Sequence, residues 1–187
     1  LRLVGSEMCI RDSYQGVRLV LQHKQQLSGV VGAVAELIDV PADFTLAIET
    51  ALGGAAQHII VENEVDARQA ITYLKQQKGG RATFLPLTTI KPRQLPAHVA
   101  AQAATIEGFL GVASERVTYP DAVQSVVNNL LGTILLAKDL ASANTIAQTI
   151  HYQYRVVSLE GDVMNAGGSM TGGANKRGNQ GSLFAQN

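Results

Sequence analysis

One order of elements occurs twice along the chain, and it constrains the fold more than any single motif. "FTLAIETALGG" (Phe44 to Gly54) reads as an amphipathic helix with Leu46, Ile48 and Leu52 apolar and Gly53 and Gly54 as its stop. "HIIV" then reads as a short buried strand. "EVDARQAITYLKQQKGG" (Glu64 to Gly80) predicts a second helix with Val65, Ala70, Ile71 and Leu74 as its stripe and Gly79 at its end. "RATFLPL" is a strand closed at Pro86. The order returns downstream: "DAVQSVVNNLLG" (Asp121 to Gly132) as helix and glycine stop, "TILLA" as strand, "DLASANTIAQTI" (Asp139 to Ile150) as helix, and "YRVVSLEGD" as strand and turn.

The two series align loosely. Ile59, Ile60 and Val61 fall opposite Ile134, Leu135 and Leu136, and Val65, Ala70 and Ile71 fall opposite Leu140, Thr145 and Ile146. Alternating helices and short strands imply an α/β or α+β fold. The echo implies two related subdomains, each under about 100 residues and at the small end of the domain range. "IKPRQLPAH" (Ile90 to His98), with Pro92 and Pro96, is the expected junction.

Composition excludes several classes. Hydrophobic residues make up 46% of the 187 and charged residues 16%, which fits a globular chain rather than a disordered one. Net charge is zero, against a generally basic nucleic-acid coat. No apolar run approaches the roughly 20 residues of a membrane span. The single cysteine, Cys9, allows no disulfide framework and no cysteine zinc site, and the expected compartment is reducing and cytoplasmic. "LRLVGSEMCIRDS" (Leu1 to Ser13) has no period and resembles translated adapter read-through, so it is read as a prefix foreign to the domain.

Motifs for catalysis, metals or cofactors do not emerge. The histidines His23, His58, His98 and His151 are scattered, with none three or four residues from another. Ser169 lies outside a G-x-S-x-G elbow, and there is no Walker A sequence. "NAGGSMTGG" (Asn165 to Gly173) follows a strand, yet its spacing is not G-x-G-x-x-G and a polar stretch follows it rather than a helix. Three readings of this segment stand: a phosphate loop, a flexible connector, or a place of close backbone approach, which glycine permits because it lacks Cβ.

Charge is segregated although the sum is zero. Between Gln25 and Ala67 every charge is acidic, and between Arg68 and Ile106 every charge is basic. Lys75, Lys78 and Arg81 cluster around one helix end, where they suit either the helix dipole or weak phosphate contact. Lys176 and Arg177, beside the glycine segment, are the alternative DNA contacts.

The blocks "GVVGAVAELIDVP", "AIETALGGAAQHIIVENEVDARQAITYLKQQKGGRATFLPL", "GFLGVASERVTY" and "VVSLEGDVMNAGGSMTGG" together resemble the hinge domain of bacterial structural maintenance of chromosomes (SMC) proteins, over roughly Tyr14 to Gly173. The resemblance implies an α/β (α+β) hinge fold of two pseudo-symmetric subdomains at the tip of a long antiparallel coiled coil. It implies a homodimer in which each first subdomain adds its edge strand to the partner's second subdomain, with Gly167, Gly168, Gly172 and Gly173 at the interface. It also implies a cytoplasmic, nucleoid-associated parent ATPase, whose nucleotide sites and kleisin-type accessory subunits belong to head domains outside this chain. No catalytic residue, cofactor or metal is expected of the domain itself.

On this basis residues 14–27 are the end of the ascending coiled-coil helix, 28–92 the first subdomain, 93–106 a linker, 107–173 the second subdomain, and 174–187 the lead into the returning coil. A second reading from a different class remains: a small nucleotide- or metabolite-binding α/β enzyme that uses the Gly167–Gly173 loop.

Overall fold

The structure is a computed structural model and describes residues 14–174. A helix, α1 (14–22), leads into strand β1 (Val30–Ala33) and the single turn α2 (Val34–Leu37). Helix α3 (Thr45–Leu52), strand β2 (Ile59–Val61), helix α4 (Glu64–Gln77) and strand β3 (Phe84–Pro86) complete the first series. The second runs α5 (Ala97–Ala104), β4 (Phe109–Val112), α6 (Gln124–Leu131), β5 (Leu135–Ala137), α7 (Leu140–Thr149) and β6 (Val156–Ser158), then the short strands β7 (Val163–Met164) and β8 (Met170–Thr171).

The chain divides into two compact units. The first ends at Leu37 and resumes over Gly54–Lys91, while the second takes Ile38–Gly53 and the chain from Pro92. Unit one holds a three-stranded sheet in the order β1-β2-β3, with β1 antiparallel and β3 parallel to β2. Unit two holds a five-stranded sheet, β4-β5-β6-β7-β8, whose first three strands repeat that pattern and whose last two extend it.

The repeat extends to single residues. Both sheets carry the same irregularity in register, between Val30 and Gly32 in one and between Phe109 and Gly111 in the other. Glu36 accepts a hydrogen bond from the Ala33 amide at 2.8 Å, and Glu115 accepts one from the Val112 amide at 3.2 Å. Asn63 caps α4 by accepting from Asp66 N–H at 2.9 Å, and Asp139 caps α7 by accepting from Ser142 N–H at 2.8 Å. Such caps satisfy amides that the first helical turn leaves without intrahelical partners. Gly29 and Gly108 both have positive φ, and a Cβ on either would run into the side chain at the third helical position, Asp66 or Ser142.

The register of the echo differs by one residue from the sequence alignment. Ile59, Ile60 and Val61 correspond to Leu135, Leu136 and Ala137, because Ala33 pairs with Ile59 and Val112 with Leu135. Ile134 precedes the strand. It is buried like its neighbours, so hydrophobicity could not separate it from the strand. The α4 stripe also shifts: Ala67, Ala70 and Leu74 are buried, whereas Val65 and Ile71 are 48% and 39% exposed. On α3, likewise, Ala47, Ile48, Ala51 and Leu52 turn inward and Leu46 outward. α4 ends one residue earlier than expected, with Lys78 rather than a glycine in the left-handed cap at φ 50°.

The segment read as the end of a coiled-coil helix and helix α5 within the expected linker both contribute to cores. α1 buries Val17 and Val20 against Val30, Ile59, Val61, Ala67 and Leu74 in the core of unit one. Its Gly16 lies so close to the Arg81 backbone that a Cβ would meet it. α5, within the stretch read as a linker, buries Val99 and Ala103 beside Leu135, Ile146 and Val156 in the core of unit two.

Candidate interaction surfaces

β7 and β8 form an antiparallel hairpin, with Val163 opposite Thr171 and Met164 opposite Met170. The turn between them is the first half of the glycine segment. Asn165 N–H donates to Ser169 O at 2.8 Å, and Gly168 N–H donates to Asn165 O at 3.0 Å. Gly167 N–H donates to Tyr152 O at 2.8 Å, tying the turn back to the sheet's own unit. Gly167 and Gly168 sit at φ 91° and 105°, which explains glycine there without reference to any ligand.

This geometry decides among the three readings of the segment. A phosphate loop presents several free amides to one point. Here the amides of Asn165, Gly167 and Gly168 are spent inside the turn. The same bonds tie down the turn from Asn165 to Ser169. What remains is a built edge. β8 is the last strand of its sheet, and both of its residues are exposed, Met170 by 58%.

In an antiparallel pair, hydrogen-bonded and non-bonded positions alternate. Asn165–Ser169 is bonded, so Val163–Thr171 is the next bonded pair and Met164–Met170 is not. The N–H and C=O of Met170 therefore point away from β7 along the free edge, where no described residue pairs with them.

The four glycines expected at an interface are thus gathered on one hairpin and its exit, with unlike surroundings. A Cβ on Gly167 or Gly173 would meet no atom of this chain within 4 Å. One on Gly168 would make ordinary contact with Tyr152, and one on Gly172 would collide with the Asp162 carboxylate.

The cations expected to touch DNA lie in unit one. Lys75 stands in the last turn of α4, Lys78 is its left-handed cap, and Arg81 follows the glycine turn; all three are exposed. On the same helix, Arg68 Nε pairs with Glu64 Oε1 at 2.7 Å. Lys176 and Arg177 lie outside the described residues. Among those described, no cluster of three metal-ligating side chains occurs, and no helix is long and apolar enough to cross a membrane.

Two protonation states are shifted. Burial pushes the half-buried His58 imidazole below its ordinary value, and its Nδ1 has no hydrogen-bond partner. The Asp139 carboxyl is held low by the Ser142 backbone amide that it caps.

Sequence reasoning missed the part that Arg93 and Arg155 play in unit two. They line one cavity, and only the folded chain joins positions so far apart.

Comparison with known proteins gives one consistent result. Residues 27–147 match the family model for the SMC proteins Flexible Hinge Domain. The chromosome partition protein Smc of Bacillus subtilis is 54% identical over 166 residues, covering 89% of this chain and 14% of that protein. Smc of Halothermothrix orenii is 42% identical over 168 residues, covering 90% and again 14%. This chain therefore spans about a seventh of the length of these relatives. Among solved structures, an asymmetric dimer of the Geobacillus stearothermophilus SMC hinge domain superposes with a TM-score of 0.87 at 48% identity, covering 92% of this chain and 68% of that one. The Pyrococcus furiosus SMC hinge domain superposes at 0.69 with 33% identity, covering 83% and 79%. The chain belongs to the SMC flexible hinge domain family.

Proposed function

We propose that this domain is the homodimerisation hinge of a chromosome partition protein, and that two copies join through their sheet edges. The observation that carries this reading is β8, an exposed strand whose Met170 amide and carbonyl point outward. A bare edge is a template for another strand. Unit one offers a complementary edge at β3. Its counterpart β6 receives β7 on that side, whereas no described strand covers β3. β8 of each copy pairing with β3 of the other satisfies both edges in one closed assembly. That the Geobacillus relative crystallised as a dimer supports the reading.

Gly167, Gly168, Gly172 and Gly173 lie at this interface. The empty space beside Gly167 and Gly173 is where a partner's backbone approaches. The flanking residues 14–27 and 174–187 lead to and from coiled-coil arms. The parent protein organises chromosomes as an ATPase in the nucleoid, working with kleisin-type subunits through head domains. Lys75, Lys78 and Arg81 contact DNA weakly and without sequence preference, with Lys176 and Arg177 as auxiliaries. The domain itself performs no catalysis. The enzyme reading loses support, because the Asn165, Gly167 and Gly168 amides are already occupied.

Sedimentation equilibrium tests the reading. Two chains of 19.8 kDa per particle at micromolar concentration are expected. A monomer at every concentration contradicts it.

A further inference from the structure

Helices α4 and α7 start from equivalent caps at Asn63 and Asp139, yet α4 runs 14 residues and α7 only 10. Among the described residues the sheet of unit one ends at β3, whereas that of unit two goes on into the β7–β8 hairpin. The early stop of α7 is a Schellman motif: Tyr152 N–H donates to Ala147 O at 2.8 Å, and His151 N–H donates to Gln148 O at 3.1 Å. The motif calls for a left-handed residue at His151, where glycine is usual, and His151 has φ 60°. It does not call for one at Tyr152, which has φ 56° all the same.

The second left-handed residue coincides with a tie to the hairpin. Tyr152 O accepts from Gly167 N–H at 2.8 Å, the bond that holds the hairpin turn to its unit. The Tyr152 ring packs, partly buried, on the core that holds Ile146 and Ala147, as the residue after a Schellman stop commonly does. It also lies beside the turn, since a Cβ on Gly168 would stand 3.9 Å from Tyr152 Cδ1. Tyr152 therefore meets the hairpin twice, through its carbonyl and through its ring. Two successive non-glycine residues at positive φ mark a place where the fold holds the backbone against its own preference. A helix stop accounts for His151 and core packing for the ring. Neither accounts for the left-handed turn at Tyr152 itself.

We propose that Tyr152 is the positioning residue of the dimer edge: by holding Gly167 it keeps the hairpin in the place from which β8 offers Met170 to a second copy. The inference rests on the dimer reading given above and adds the element that orders the edge before a partner arrives. An edge already ordered in the free chain loses less conformational freedom on association.

Two readouts on the 187-residue chain test this. Hydrogen exchange at the Gly167 amide, followed by NMR in a Met170→Pro background so that no partner adds protection, reports the tie. The dimer dissociation constant, from sedimentation equilibrium without that change, reports its consequence. Tyr152→Val lacks the ring and, being β-branched, resists the left-handed turn. It is expected to speed Gly167 exchange and to raise the dissociation constant, each by about tenfold or more. Tyr152→Phe keeps turn and ring and is expected to match the parent in both. Tyr152→Asn tolerates the turn but lacks the ring. It shifts both readouts less in the same direction, and it carries the test if the valine variant does not fold. Val99→Ala, in the same core but on α5, is expected to lower the melting temperature and to leave both readouts unchanged, which separates positioning from loss of stability. Gly167 exchange unchanged in the folded Tyr152 variants overturns the proposal, as does a Val99→Ala variant that weakens the dimer equally. A parent that is monomeric at every concentration overturns the dimer reading and the positioning role with it, while the exchange data still decide whether Tyr152 holds the hairpin.

Discussion

Asp39 and Thr118 hold the same position in the two repeats and pair with each other, Asp39 N–H donating to Thr118 O at 2.8 Å and Thr118 N–H to Asp39 O at 3.0 Å. Both residues belong to the second unit. Their neighbours Ile38 and Val117, also counterparts, are both buried. α3 and α6, counterparts again, pack in the same unit. Thr118→Pro removes one of the two donors and is expected to cost about 1–3 kcal/mol in chemical denaturation. Thr118→Val, which keeps the backbone donor, is expected to change stability by less than about 0.5 kcal/mol, as surface substitutions do.

The core register is tested by counterpart truncations. Ile60→Ala and Leu136→Ala remove fully buried side chains from the middle strands, and each is expected to cost about 2–5 kcal/mol. Ala137 is fully buried within β5, so Ala137→Leu is expected to overpack by about 1–3 kcal/mol. A tolerated Ala137→Leu would contradict the packing of β5 described above.

Glycines of the fold separate from glycines of the edge. Gly108→Ala forces a Cβ toward Ser142 at positive φ, and it is expected to lower the melting temperature of the domain. Gly167→Ala meets no atom of its own chain, so beyond the backbone strain of about 1 kcal/mol its effect is expected on association. Thermal melts read beside sedimentation distinguish the two.

His58 gives the acid side of the stability profile a definite sign. Burial depresses its folded-state pKa, so the unfolded chain binds the proton more readily. Stability from this group is complete above the unfolded value of about 6.5 and is lost as pH falls below it toward the folded value. Denaturation midpoints between pH 7.5 and 5 are the measurement, and His58→Gln is expected to flatten that part of the profile. An unchanged slope contradicts the assignment.

Element order, both sheets' central strands and the two acidic helix starts were legible because hydrophobic runs and glycine stops mark them. The one-residue shift at Ile134 was not legible, since a buried residue before a strand looks like a strand residue. α1 read as the end of a coiled-coil helix and α5 as part of a linker, because the core partners of Val17 and Val99 come from strands distant in sequence. The glycine segment admitted three readings, and its hairpin form was not legible. That β8 is an edge follows from the hairpin register, which the sequence of Asn165 to Gly173 leaves open. Arg93 and Arg155 carried no signal, because nothing local joins them.

The central claim is that β8 is the seam of a homodimer, and Met170→Pro tests it most directly. The Met170 amide points outward, so proline there leaves the β7–β8 bonds in place and removes only the donor offered to a second chain. Light scattering after size exclusion is the measurement, with circular dichroism to establish that the variant is folded. The account predicts a dimeric parent and a folded Met170→Pro variant shifted toward monomer. A folded variant that stays fully dimeric at sub-micromolar concentration would contradict it.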